Sequence, residues 1–240
     1  MLWPDDAILA FDGRPPEFPL AERLYFLRAI RYVDRITGAP GGVHRDELPN
    51  AVGPDPTVWA VLPEEDNALK RAFCADRGFE YRVVDEEALT RFPGKPTAVR
   101  LNAGNRRVLV TGCFDWLHSG HVRFFEEVCE LGDLYVVVGH DANVRQLKGE
   151  GHPLFGQDER RYMAEAIRYV TQALISSGNG WLDAEPEIAL VQPDMYAVNE
   201  DGDKPEKRAF CEAHGIEYVV LKRTPKEGLP RRESTALRGF

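Results

Sequence analysis

Residues 107 to 121 place the tightest constraint on what this chain can fold into. Val108, Leu109 and Val110 form an apolar run that stops at Gly112, which reads as a buried strand breaking into a loop. The loop carries His118 and His121, and Val122, Phe124, Phe125 and Val128 follow at helical spacing. A strand, a small-residue turn and a helix N-terminus in that order make an anion site. Free backbone N–H groups and the helix dipole both point at whatever negative group lies there. Gly120 lets the backbone pass close to that anion, so both histidines can approach it. Taken alone, His-x-x-His reads as one turn of helix with a surface or core histidine. The preceding strand, Gly112 and Phe114-Asp115 supply the context that a phosphate loop needs. No carboxylate or cysteine stands beside the pair at metal-ligand spacing, so a metal centre is not expected there.

The 240 residues leave room for one large domain or one and a half ordinary ones. A net charge of -9 argues against a nucleic-acid surface, because phosphate backbones select basic faces. No apolar run approaches membrane-spanning length, and the first residues do not read as a signal peptide. Cys74, Cys113, Cys129 and Cys211 lack Cys-x-x-Cys spacing and the density of a secreted scaffold, so reduced thiols and a cytoplasmic location are expected.

The chain repeats itself. Residues 22–33 (ERLYFLRAIRYV) and 159–170 (ERRYMAEAIRYV) agree at eight of twelve positions, as do 70–81 (KRAFCADRGFEY) and 207–218 (KRAFCEAHGIEY). Both pairs have one offset, 159 − 22 = 137 and 207 − 70 = 137, which reads as a duplication. By this offset the first copy has no counterpart of residues 107–138. Its pieces are read as a helix at 20–33, a strand at 57–62, a helix at 66–77 and a strand at 81–84, with residues 91–106 as connector. The second copy is read as complete, with strands near 107–112, 134–139, 172–177, 195–199 and 218–222 and helices near 120–130, 157–169 and 205–214. That alternation predicts a parallel α/β sheet covered on both faces, with ligands at the carboxyl ends of its strands.

The duplication acts as an internal control. Residues kept in both copies (Glu22 and Glu159, Arg23 and Arg160, Tyr32 and Tyr169, Lys70 and Lys207, Cys74 and Cys211) are assigned to packing. Candidates for function are phosphate- or base-binding groups with no equivalent in the first copy. Asn199 faces Leu62, Glu200 faces Pro63, Arg223 faces Glu86, Thr235 faces Ala98, and Lys148 faces Phe11, or Asp12 across a one-residue gap.

These residues resemble the cytidylyltransferase-like nucleotidyltransferases. Gly112-Cys113-Phe114-Asp115-Trp116-Leu117-His118-Ser119-Gly120-His121 is similar to the signature G-[TS]-F-D-x-x-H-x-G-H. Leu147-Lys148-Gly149, with Pro153 and Glu159-Arg160, is similar to the family's lysine-glycine segment. Asp194 to Asp201 resembles its fourth strand and base-side loop. Lys222-Arg223-Thr224, Gly228 and Ser234-Thr235-Ala236-Leu237-Arg238 are similar to its closing motif. Two departures stand out: Cys113 replaces a Thr or Ser, and the spacer before Ser234 is long. Phosphoethanolamine cytidylyltransferases and heptose-phosphate adenylyltransferases share parts of the pattern.

The resemblance implies a Rossmann-like five-stranded parallel sheet of order 3-2-1-4-5. Residues 101–240 would form the catalytic nucleotidyltransferase domain, and residues 1–100 a truncated, degenerate copy without the histidine loop. It implies transfer of CMP from CTP to a phosphorylated alcohol, sugar or phosphonate with release of pyrophosphate. The alternatives are adenylyl transfer from ATP, or a nucleotide-binding regulatory protein without catalysis. The implied roles are phosphate-oxygen donors for His118 and His121, and charge neutralisation for Lys148 and Arg223. Ser234 and Thr235 would hold the β,γ phosphates at the N-terminus of a last helix. Gly112, Cys113, Phe114, Asp115 and Gly120 would shape the nucleotide loop, and Asn199, Glu200 and Asp201 would face the base or acceptor. Mg²⁺ is implied on the triphosphate. A homodimer is compatible with these readings, as is docking of residues 1–100 where dimeric relatives place a second subunit. The remaining strands of the short copy are not expected to form one continuous sheet of the family type.

Overall fold

The computed structural model describes residues 1–39, 44–48, 57–85, 87, 92–94, 96 and 98–237. Glu86, part of the connector and Arg238 of the closing motif lie outside the described residues. The chain forms two compact units, residues 1–24 with 35–92 and residues 25–34 with 93–240. Helix α2 (Leu20–Ala29) contributes its first half to the smaller unit and its second half to the larger. Among the described residues, no helix is long and apolar enough to cross a membrane.

In the smaller unit α1 spans Asp5–Asp12, β1 Val58–Val61, α3 Ala68–Arg77 and β2 Glu80–Val83. β1 and β2 form a separate two-stranded parallel sheet, with Val58 opposite Glu80.

The larger unit holds β3 (Arg107–Gly112), α4 (Ser119–Cys129), β4 (Asp133–Val138), α5 (Asp141–Lys148), α6 (Gln157–Ala166), β5 (Val170–Ile175), α7 (Glu185–Val191), β6 (Met195–Asn199), α8 (Pro205–His214) and β7 (Glu217–Leu221). All five strands are parallel, in the order β5-β4-β3-β6-β7. This is the expected 3-2-1-4-5 order.

Period-two alternation sends successive strand residues to opposite faces, and both faces are buried. Val108 and Val110 of β3 and Leu134, Val136 and Val138 of β4 pack with Val122, Phe125 and Val128 of α4 and Ala164 of α6. Leu109, Tyr135 and Val137 point the other way, onto Ile188 and Val191 of α7 and Cys211 of α8. β3 lies between β4 and β6, so the chain order reverses there and the carboxyl ends of β3 and β6 open a crevice.

Two helices, α5 and α7, escape a reading based on apolar periodicity. α5 buries only Asn143 and Val144, and its ends are set by the His140 cap and Gly149. α7 is seven residues long and carries Pro186 in its first turn, where proline is tolerated. α6 and α2 end earlier than expected, at Ala166 and Ala29, because Ile167 and Ile30 turn extended and pair with each other.

Elements recur at the sequence offset: α6 against α2 (157 − 20 = 137), β6 against β1 (195 − 58 = 137), α8 against α3 (205 − 68 = 137) and β7 against β2 (217 − 80 = 137). Local contacts recur too. Lys70 Nζ donates to the Glu65 carbonyl at 2.8 Å and Lys207 Nζ to the Gly202 carbonyl at 3.3 Å. Arg71 pairs with Asp66 and Arg208 with Asp203.

Phe125 is fully buried between α4 and the sheet, touching Phe114 and Phe124. Phe125→Ala is expected to cost about 3–5 kcal/mol, from lost transfer energy plus a cavity, read by denaturant unfolding.

Candidate functional site

The carboxyl end of β3 is built for close approach. A Cβ on Gly112 would meet the Phe114 ring at 2.8 Å, so only glycine fits. Phe114 has a φ of 50°, the left-handed region that a bulky residue rarely enters. This conformation buries its ring against His121 and Phe125, with centroids 5.4 and 5.2 Å away. Phe114 therefore props the second histidine. Asp115 accepts hydrogen bonds from the Leu154 and Phe155 N–H groups at 2.7 and 3.1 Å, which ties the loop after α5 to the loop after β3.

His118 caps α4. Its Nδ1 accepts the Gly120 N–H at 3.1 Å, and His121 Nδ1 accepts the His118 N–H at 3.4 Å. Both imidazoles thus spend Nδ1 on the helix end, which assigns the proton of each neutral ring to Nε2. The ring centroids are 4.0 Å apart. A Cβ on Gly120 would strike the His118 ring at 2.9 Å, so this glycine is required by the capping histidine. Burial is the main cause that holds His121 well below the usual 6.5, followed by His118, Arg223 and Lys148. His121 is a neutral hydrogen-bond donor.

A cleft of about 910 Å³, open to solvent, collects the site. It is lined by Gly112, Cys113, Phe114, Asp115, His118, Gly120, His121, Lys148, Asn199, Asp201, Arg223, Ser234 and Thr235. Glu200 is the one candidate that does not line it. Its carboxylate accepts the Arg223 N–H at 3.3 Å, and Asp201 pairs with the Arg223 guanidinium at 2.7 Å. These two acids hold the arginine. The Ser234 hydroxyl donates to the Trp116 carbonyl at 3.4 Å, and Arg223 reaches the Arg232 carbonyl at 3.0 Å. The long spacer therefore folds back beside the histidine loop. The expected last helix is not found among the described residues: 234–237 form a turn, with Ala236 N–H donating to the Glu233 carbonyl. Burial raises the Cys113 thiol above its usual range, so it stays protonated and is no nucleophile at neutral pH.

Three participants are not among the sequence candidates. His152 lines the cleft, with Nδ1 3.9 Å from Asp115. Lys207 lines it too, with its ammonium 5.8 Å from the Tyr196 ring centroid and its pKa lowered by burial. Arg160, 1% exposed, donates to the carbonyls of Cys113, Gly139 and Phe155 at 2.6, 2.8 and 2.8 Å and pairs with Asp141 at 2.6 Å. The signal for Arg160 is present, since Arg23 repeats it, but repetition assigns it only to packing.

Residues 109–227 match the family model described as cytidylyltransferase-like. The FAD synthase of Aciduliprofundum boonei is 36% identical over 119 residues, which cover 48% of this chain and 76% of that protein. The chain belongs to the cytidylyltransferase-like family. With it, the chain belongs among the nucleotidyltransferases. The bifunctional protein HldE of Pelobacter propionicus is 38% identical over 99 residues, 41% of this chain and only 20% of that protein. The lipopolysaccharide core biosynthesis protein of Thermoplasma volcanium superposes with a TM-score of 0.43 at 26% identity, covering 52% of this chain and 100% of that one.

Because His121 is protonated less readily folded than unfolded, its contribution to stability is fully present above about pH 6.5 and is lost as pH falls below that value. Nitrogen NMR of the imidazoles is expected to show His121 still neutral, with the proton on Nε2, when the solution passes below pH 6.5. Titration of His121 at 6.5 or above would contradict this.

Proposed function

We propose that this chain transfers CMP from CTP to a small phosphorylated or phosphonate acceptor and releases pyrophosphate. The observation that carries the reading is the pair of imidazoles, His118 buried and His121 half-buried, both using Nδ1 at the helix end and leaving Nε2 to donate, in one cleft with Lys148 and Arg223. An acceptor oxygen attacks the α-phosphorus. One P–O bond forms as the bond to the leaving pyrophosphate breaks, and catalysis is chiefly alignment and charge stabilisation. His118 and His121 donate from Nε2 to phosphate oxygens as charge builds on them. Lys148 acts as a point charge on the triphosphate, and Arg223, pre-set by Asp201, offers its planar fork. Asn199, at the end of β6, faces the base or the acceptor. Thr235 is the hydroxyl of the closing motif placed to meet the β,γ end, because that of Ser234 is engaged by Trp116. The donors facing the cleft suit anions, so Mg²⁺ would enter with the triphosphate and would supply further charge neutralisation there. No nucleic acid is a partner, as the net charge of -9 implies, and free thiols suit a reducing cytoplasm.

A second reading, AMP transfer from ATP, is favoured by the relatives, since an FAD synthase is named for a product that contains adenine. Pyrophosphate release is measured with CTP, ATP, GTP and UTP plus Mg²⁺ against phosphorylated alcohols, sugars and phosphonates. One nucleotide is expected to support release, and His118→Ala is expected to lower kcat by about 10²–10³, the size of losing one oxyanion donor. Nucleotide binding without release across the panel would point to the regulatory alternative. Release that survives His118→Ala would remove the mechanism.

A further inference from the structure

Residues 25–34 and 162–171 face each other inside the larger unit with reciprocal bonds. Ile30 and Ile167 form an antiparallel bridge. Arg31 N–H donates to the Ala166 carbonyl and Arg168 N–H to the Ala29 carbonyl, both at 2.8 Å. The Arg31 guanidinium reaches the carbonyls of Ile167 and Val170, and the Arg168 guanidinium those of Ile30 and Val33. Each donor and acceptor on one side is matched on the other at the offset of 137 (168 − 31, 166 − 29, 167 − 30, 170 − 33). Two identical chains meet in this way across a two-fold axis.

Tyr25, five residues before the bridge, reaches the helix that follows the histidine loop. The Tyr25 hydroxyl donates to Glu126 Oε2 at 2.9 Å. The same carboxylate takes Arg123 at 2.8 Å, Lys226 at 2.9 Å and the Tyr169 hydroxyl at 3.5 Å, with 18% of the Glu126 side chain exposed. Glu126 lies on α4, whose first turn carries His118 and His121, and Lys226 lies three residues after Arg223 on the loop that follows β7. One carboxylate therefore joins the histidine helix to the arginine loop, and the first repeat supplies one of its donors.

We propose that Tyr25 is a positioning residue for nucleotidyl transfer, supplied by the N-terminal repeat in the place that a second subunit's tyrosine would take. It acts through Glu126, which sets α4 against the 222–229 loop so that the two imidazoles and Arg223 address the same phosphates. This inference rests on the reading given under Proposed function. The hydroxyl orients the carboxylate, the carboxylate holds Lys226, and Lys226 holds the loop. Burial and the hydrogen bond to Glu126 raise the Tyr25 phenol far above its usual range, so it remains a donor at every working pH.

The test is a double-mutant cycle in the full chain with Tyr25→Phe, Glu126→Gln and both together. Kinetics of pyrophosphate release, melting temperature and amide hydrogen exchange in residues 222–229 are the readouts. Tyr25→Phe is expected to lower kcat about tenfold, the scale of one hydrogen bond to a charged group, with nucleotide KM and melting temperature little changed. Exchange in the 222–229 loop should quicken, and the double variant should be no slower in kcat than Glu126→Gln alone. An unchanged kcat in Tyr25→Phe, a lower melting temperature with kcat intact, or additive losses would each overturn the proposal. Absence of pyrophosphate release in the unmodified chain, or release that survives His118→Ala, would instead sink the functional reading. In that case unchanged loop exchange in Tyr25→Phe would still overturn the positioning role.

Discussion

The guanidinium of Arg160 is the interaction on which the site depends most. It lies almost wholly out of water and donates to the chain where β3 ends, where β4 ends and where α6 begins, at Cys113, Gly139 and Phe155. A buried cation with several fixed N–H vectors can satisfy several carbonyls at once, which a lysine ammonium on a flexible stem does less well. Asp141 balances the charge at 2.6 Å. Taking away one member of such a buried set leaves the others desolvated, at a cost of about 3–5 kcal/mol. Asp115 repeats the device with opposite sign, a buried carboxylate accepting the N–H groups of Leu154 and Phe155. Between them the two side chains fix loops that would otherwise drift, and the capping histidines inherit that order.

The histidines in turn divide labour with the permanent cations. An imidazolium at His121 would have to coexist with His118, Arg223 and Lys148 in a buried space, and repulsion added to desolvation prevents it. The site therefore places its fixed charge on Arg and Lys and keeps its short-range donors neutral. Neutral rings can lie with their centroids 4.0 Å apart, as these do, without the penalty of paired charges.

Much of this arrangement is legible in the order of the amino acids. The apolar runs at 108–110 and 195–198, the glycine at 112 and the histidine pair are enough to place the two central strands and the crevice between them, whereas Lys148, Arg223, Ser234 and Thr235 stand out only through the internal comparison and the family pattern. What escapes is set by backbone partners and not by side-chain pattern. α5 shows no apolar stripe, since it buries only Asn143 and Val144, and its ends are fixed by His140 and Gly149. Glu200 is polar in one repeat only and the family pattern implies that it faces the base or acceptor; its carboxylate accepts the Arg223 N–H and does not line the cleft. Arg160 reads as a packing residue because Arg23 repeats it. The shared half of its role, a bond to a carbonyl five residues earlier (Phe18 and Phe155), conceals the bonds to Cys113 and Gly139. Lys207 follows the internal comparison better, for Lys70 makes the same bond.

The reciprocal contact between residues 25–34 and 162–171 has a consequence for variation. Where two identical chains meet on an axis, every change is made twice and must suit itself across the join. Here the two sides are separate stretches of one chain, so Arg31 and Arg168, or Tyr25 and Tyr162, can change independently. One side is free to specialise while the other keeps the geometry. The backbone N–H and carbonyl groups that a second copy would need on this face are also already paired. The join is complete as soon as the chain folds, at any dilution, and needs no second molecule.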